Sequence, residues 1–262
     1  MNVQDFTRKK LAGERISMVT CYDAWSARLI AGSDIDSVLV GDSLAMVVYG
    51  HDTTLPVDTA TMAAHTAAVR RGAPDKFIIG DMPFLSCRRG RDLAVENAGQ
   101  LMQAGANAVK LEGAAGNIET IAYLVESGIP VMGHLGLTPQ SVHQLGGFRV
   151  QGRGDEAAER LKRQAIELQE AGCFSLVLEA MPAAVAGEVT GALAIPSIGI
   201  GAGADTDGQV LVLHDLLGFN TDFRPKFVRT WMDGSGGVQN ALQAFHREVR
   251  EGSFPGEAEC YS

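Results

Sequence analysis

Short apolar runs alternate with longer amphipathic stretches along nearly the whole chain. The runs fall at 16–23 (ISMVTCYD), 37–42 (SVLVGD), 77–81 (FIIGD), 108–112 (AVKLE), 130–134 (PVMGH), 175–179 (SLVLE), 197–200 (SIGI) and 210–214 (VLVLH). Most are rich in Val, Ile and Leu, as strands buried on both faces should be. The stretches between them, such as 92–103 and 155–170, have helical periodicity. Several end at a glycine suited to a helix C-cap: Gly32, Gly72, Gly105, Gly128 and Gly172. Strand then helix, repeated, means parallel βαβ units, and eight of them predict a closed (β/α)₈ barrel. The segments AGANAVKLE (104–112) and AGCFSLVLE (171–179) align without a gap, each reading as helix end, glycine, strand and terminal Glu. The 262 residues suit the roughly 250 of one barrel, and no linker divides them. We therefore expect one domain over 1–262, with a short segment before the first strand and an extended tail over 254–262.

The polar residues fall in one kind of place. Five successive runs finish on groups fit for chemistry: Asp42 with Ser43, Asp81, Lys110 with Glu112, His134, and Glu179. In a parallel barrel all C-terminal strand ends meet at one face, which carries the active site. Lys110 and Glu112 are two apart in a strand and point to the same side. Each residue has a plainer reading. Asp42 and Asp81 could cap the following helices. Lys110 and Glu112 could simply pair, His134 could be a satisfied core histidine, and Glu179 could serve a helix end. As a set, four carboxylates, a lysine and a histidine buried at one barrel end carry a large desolvation penalty that something must offset. Oxygen ligands without cysteine point to a hard divalent cation, Mg²⁺ rather than zinc. A 2-oxo acid would chelate such an ion, which would then stabilise an enolate, with Lys110 meeting the remaining negative charge. A separate carboxylate off the metal would carry the proton.

Two glycine-rich stretches invite other readings. SIGIGAGADTDGQ (197–209) resembles a phosphate loop, but no Walker lysine follows and the next pattern is a strand, so it reads as a strand end where backbone packs closely. LGGFRVQGRGDE, with Arg149 and Arg153, reads as a mobile loop over the mouth or as a plain surface loop.

Charge and composition narrow the partners. With 31 acidic against 22 basic residues the net charge is -9, which argues against a nucleic-acid or anionic-membrane partner. The cysteines Cys21, Cys87, Cys173 and Cys260 form no Cys-x-x-Cys pair, so neither a zinc knuckle nor a disulfide framework is indicated. The N-terminus lacks the apolar core of a secretory signal, and no run approaches a membrane span. A cytoplasmic metabolic protein is the expectation.

The motifs GDSLAMVVYGHDTTLPV (41–57), HTAAVRRGAP (65–74), GDMPF (80–84), AGANAVKLEG (104–113), GHLGLTPQSV (133–142), VQGRGDEA (150–157), IPSIGIGAGADTDGQVLVLHDLLG (195–218) and FPGE (254–257) resemble the 3-methyl-2-oxobutanoate hydroxymethyltransferase (ketopantoate hydroxymethyltransferase) family. The likeness runs from about residue 17 to 257. It implies a barrel of the phosphoenolpyruvate/pyruvate-binding type. It also implies Mg²⁺ as cofactor, 5,10-methylenetetrahydrofolate as cosubstrate, 3-methyl-2-oxobutanoate as acceptor and ketopantoate as product, on the route to pantothenate and coenzyme A. The family's metal-site acids fall on Asp42, Asp81 and Glu112. Its substrate contacts fall on Asp42, Ser43, Asp81 and Lys110, with His134 near the substrate. Its proton-accepting glutamate falls on Glu179. A homodecamer is implied in the same way. The chain departs at Ala45, where glycine is usual, at SCRRG (86–90), at Phe148 and Arg149 in place of Tyr and Lys, and at AMPAAVAGEVT after Glu179. None removes a chemical group named above. Two other readings stay open at this point: another Mg²⁺-dependent oxo-acid lyase or mutase that uses no folate, and a catalytically silent barrel kept for binding.

Overall fold

In a computed structural model, which describes residues 1–220, 225–232 and 237–261, eight parallel strands close into a barrel in sequence order, the last pairing with the first. The elements run α1 (Val3–Leu11), β1 (Ile16–Thr20), α2 (Ala24–Ala31), β2 (Ser37–Val40), α3 (Leu44–Val47), α4 (Thr59–Gly72), β3 (Phe77–Asp81), α5 (Arg91–Gln103) and β4 (Ala108–Glu112). They continue with α6 (Ile118–Glu126), β5 (Val131–Gly136), α7 (Val142–Leu145), α8 (Asp155–Glu170), β6 (Ser175–Glu179), α9 (Ala183–Ala192), β7 (Ser197–Ile200), β8 (Gly208–Leu211), α10 (Leu213–Leu216) and α11 (Gly237–Glu251). The predicted eightfold barrel is thus observed. The matching segments 104–112 and 171–179 are equivalent in space too. Gly105 and Gly172 take φ of 111° and 95° after α5 and α8, and β4 and β6 follow.

Several boundaries differ from the sequence reading, each for a local reason. The first run stops at Thr20, because Asp23 caps α2, its carboxylate accepting the backbone N–H groups of Trp25 and Ser26 at 2.8 and 2.9 Å. The second stops at Val40, leaving Asp42 in the loop beyond it. The fifth starts at Val131 and extends to Gly136. The eighth is Gly208–Leu211 rather than 210–214: the Leu213 N–H donates to Thr20 Oγ1 at 3.0 Å and starts α10, which takes His214 out of the strand. The tail is not simply extended either. Phe254 is buried edge-on against Trp231 and Phe245, and a short 3₁₀ turn follows at Glu257–Glu259. Arg229 grips Glu259 through two 2.9 Å bonds and holds that turn down.

Two cores result. The outer one lies between strands and helices. The inner one fills the barrel with alternate strand residues, including Ile16, Met18, Leu39, Phe77, Ile79, Met132, Val177, Ile198 and Val210. The segment before β1 is structured, and α1 closes the N-terminal end of the barrel. Its Phe6 is fully buried and meets Phe77 and Phe174 edge-on, with centroids 5.2 and 5.0 Å apart. The inner layers are therefore mostly apolar below the last residues of each strand, with Ser37 and Ser175 as small polar exceptions at the bottom. Phe6→Ala should destabilise the protein by about 3–5 kcal/mol, the usual loss for a buried aromatic. This is read as a lower urea midpoint with the mouth of the barrel unaltered. An unchanged midpoint would show that α1 is not a plug.

Candidate active site

The strand alternation that fills the barrel with apolar side chains also aims the polar ones. On β3 the inward positions are Phe77, Ile79 and Asp81. On β4 they are Ala108, Lys110 and Glu112, so Asp81 and Lys110 are register partners, as are Glu112 and His134 of β5. All four are at least nine-tenths buried, as is Asp42. Glu179, at the end of β6, is partly open. The structure brings together six of the seven residues that the sequence singles out, and Ser43 adjoins them after Asp42.

The contacts form one chain of charge. Lys110 Nζ lies 2.8 Å from Asp81 Oδ1 and 3.7 Å from Glu112 Oε1. It also sits 3.3 Å from His134 Nδ1. His134 spans two acids, with Nδ1 3.5 Å from Glu112 Oε1 and Nε2 3.2 Å from Glu179 Oε2. The Asp42 N–H donates to Asp81 Oδ2 at 3.2 Å. Ser43 Oγ shares a 2.9 Å hydrogen bond with the buried Tyr22 hydroxyl.

Burial and mutual repulsion set the protonation of this group. Burial, then the charges of Asp81 and Glu112, hold the Asp42 carboxyl well above its ordinary range. Asp81 is raised too, by burial and by Glu112, against the pull of Lys110. Glu112 is also buried, but Lys110 and His134 outweigh that and hold it low. For Lys110, burial is overcome by the charges of Asp81, Glu112 and Asp42, and the ammonium is held firmly protonated. Burial and the Lys110 charge depress His134. Its contacts with Glu112 and Glu179 more than offset both and lift it to about 9.

The acids nearest Lys110 thus have their counter-charge, while Asp42 does not. Asp81 Oδ1 and Glu112 Oε1 receive no well-directed hydrogen bond and keep lone pairs for another partner. This donor set fits Mg²⁺, a hard cation commonly held by one or two carboxylates and several waters. Among the described residues no three Asp, Glu, His or Cys side chains are drawn together as a ready metal cage. Asp42 and Asp81 are the carboxylates suited to direct ligation, and Glu112 is the acid tied most fully to protein groups.

Backbone geometry fixes where Glu179 sits. Gly136 has φ 91°, and a Cβ there would strike the Glu179 carbonyl, so only glycine lets β5 approach and donate the Leu137 N–H to that carbonyl at 2.8 Å. Ala180 follows with φ 46°, a left-handed backbone that a non-glycine residue adopts only where its surroundings enforce it. Its N–H bonds Ile200 O, and its carbonyl accepts the Gln151 N–H at 2.8 Å from the LGGFRVQGRGDE loop. The SIGIGAG stretch (197–203) behaves as a close-packed strand end: a Cβ on Gly199 would meet Thr206, and one on Gly203 would meet Ala183.

Three contributors carry no clear signal in the sequence. Tyr22, just past β1, anchors Ser43. Tyr261, in the tail, lies against Gly201 beside the end of β7, and its carbonyl accepts the Ala183 N–H. Burial and the Glu179 charge raise its phenol. Gln140 lies on the 3₁₀ turn Pro139–Ser141 after β5, within the GHLGLTPQSV motif, and bonds both Asp42 and Glu112.

Similar proteins share this arrangement of sequence and fold. By fold the chain is similar to phosphoenolpyruvate phosphomutase of Streptomyces platensis subsp. rosaceus, with TM-score 0.63 and 10% identity, covering 84% of this chain and 83% of that one. It is also similar to a 2,3-dimethylmalate lyase of the PEP mutase/isocitrate lyase superfamily, with TM-score 0.59 and 17% identity, covering 80% of each chain. At such identities the likeness carries the barrel and no chemistry. Sequence relatives lie much nearer. A 3-methyl-2-oxobutanoate hydroxymethyltransferase of Bdellovibrio bacteriovorus is 57% identical over 99% of both chains. One of Coxiella burnetii is 54% identical over 100% of this chain and 99% of its own. The ketopantoate hydroxymethyltransferase family model matches residues 1–257. A chain that carries the family's sequence over nearly its whole length, on a barrel that gathers the expected acids at one mouth, belongs to the ketopantoate hydroxymethyltransferase family.

Proposed function

We propose that this enzyme transfers a hydroxymethyl group from 5,10-methylenetetrahydrofolate to 3-methyl-2-oxobutanoate, giving ketopantoate on the route to pantothenate and coenzyme A. A water molecule supplies the hydroxyl oxygen, and tetrahydrofolate leaves. The observation that carries this reading is the convergence of Asp42, Asp81, Lys110, Glu112, His134 and Glu179 at one barrel mouth, in a chain 57% identical to a relative of that name. The buried Asp42 carboxyl, with which neither Lys110 nor His134 forms an ion pair, supports one Mg²⁺ per subunit, held by Asp42 and Asp81, with Glu112 as the third acid of the site. A bound ion would supply Lewis-acid stabilisation of the negative charge that develops on the ketone oxygen of the oxo acid.

The chain's own residues do the rest. Lys110 attracts the substrate carboxylate, and Ser43, steadied by Tyr22, borders the substrate. Glu179 takes the C3 proton, leaving the electron pair on carbon to form the new C–C bond with the one-carbon unit. Glu179 suits that role because it stands on a different strand from the metal-site acids and is not committed to the cation. His134, 3.2 Å away, orients it. Free cysteines, three of them buried, support a cytoplasmic setting. Assembly with further copies, as a homodecamer, is proposed on family likeness.

The direct test is ketopantoate formation from both substrates. Product should require the folate and a divalent cation, and turnover without folate would overturn the reading. Asp81→Ala should lose most Mg²⁺ affinity while keeping the fold, as measured by calorimetric titration. Parent-like Mg²⁺ binding in that variant would remove Asp81 from the metal site. Glu179→Gln should slow exchange of the C3 proton with D₂O, followed by NMR with Mg²⁺ and no folate, by about 10²–10⁴-fold, the usual contribution of a positioned base. Exchange at the parent rate would remove Glu179 from the role of base.

A further inference from the structure

Gln140 makes more contacts with the site's acids than its place on a short loop would suggest. Its backbone N–H donates to Glu112 Oε2 at 3.0 Å. Its side-chain amide donates to Asp42 Oδ2 at 2.8 Å and to the carbonyl of Met82 at 2.9 Å. One residue thereby ties together the ends of β2, β3 and β4, all from a turn that follows β5. Both protons of the amide nitrogen are used, so the side chain has little freedom to swing while these bonds last.

The bond to Asp42 matters most. Lys110 contacts Asp81 and Glu112, and His134 contacts Glu112 and Glu179, but neither cation forms an ion pair with Asp42. Among the described residues, the Gln140 amide is the side-chain donor that reaches the Asp42 carboxylate. It engages Oδ2 and, among the described residues, leaves the second oxygen without a hydrogen-bond donor that would compete with a cation. A neutral amide also adds no charge that would repel one. A lysine in the same place would hold Asp42 but oppose metal binding.

We infer that Gln140 is a positioning residue that fixes the Asp42 carboxylate, and through its backbone N–H the Glu112 carboxylate, in the arrangement that accepts the divalent cation. The inference rests on the proposed metal site and adds to it a residue outside the ligand set. Gln140 acts through Asp42 and does not itself touch the reacting atoms.

The test uses Mg²⁺ alone, titrated calorimetrically into the substrate-free full-length protein. Gln140→Met keeps the length and the backbone N–H but removes the amide. It should bind Mg²⁺ about tenfold to a hundredfold more weakly, the range expected for one lost hydrogen bond to a charged group. Its Tm without metal should stay close to the parent's. In turnover assays the Mg²⁺ concentration for half-maximal rate should rise by a similar factor, while kcat at saturating Mg²⁺ stays near the parent value. A merely structural role predicts the reverse: a lowered Tm with unchanged Mg²⁺ affinity, which would overturn the inference. If Gln140→Met does not fold, Gln140→Asn carries the same test, since its shorter amide cannot keep the 2.8 Å contact without backbone movement. Parent-like Mg²⁺ binding by Gln140→Asn would overturn the inference alone. A parent protein that takes up no Mg²⁺ would overturn the metal assignment and this inference with it.

Discussion

The structure depends on one electrostatic constraint: four carboxylates, one ammonium and one imidazole share the low-dielectric end of a barrel whose lower layers are mostly apolar. Isolated ions could not be buried there. Lys110 between Asp81 and Glu112, and His134 between Glu112 and Glu179, satisfy most of the charge within the protein. What they leave over is concentrated at Asp42, where burial and like charge act together. The geometry therefore does two things at once. It fixes the cationic side chains firmly, and it leaves an excess of oxygen donors at one edge, where a hard cation would find complementary charge.

Neighbouring backbone supports that arrangement. A glycine at 136 brings β5 close to β6, a left-handed Ala180 turns the chain immediately after Glu179, and the loop carrying Gln151 locks the turn from above. Such strain persists only where the surroundings over-determine it. Here it falls beside Glu179, the proposed base, and not beside the acids proposed for the ion.

The barrel is legible in the sequence because parallel strands buried on both faces leave continuous apolar runs, and the site is legible because those runs end in charge. Lys110 and Glu112 need only the two-residue alternation of a strand to be placed side by side. Other features carry no such signature. Helix α1 reads as polar, and its role rests on the single buried Phe6. The apolar pattern of VLVLHDLLG passes from strand into helix without a break, so periodicity alone sets the eighth strand too late. It actually starts at Gly208, where a Cβ would meet Ile16. Gln140 is an ordinary polar residue on a loop, and its importance comes from where the turn after β5 carries it. That depends on a contact between residues 98 positions apart in sequence.

Among the described residues, Phe6 packs across the N-terminal end of the barrel and gives it a floor. A molecule that reaches Glu179 enters through the ring of loops above and must leave the same way. Traffic to and from Glu179 is therefore the business of the loops above the strand ends, and the floor has no share in it.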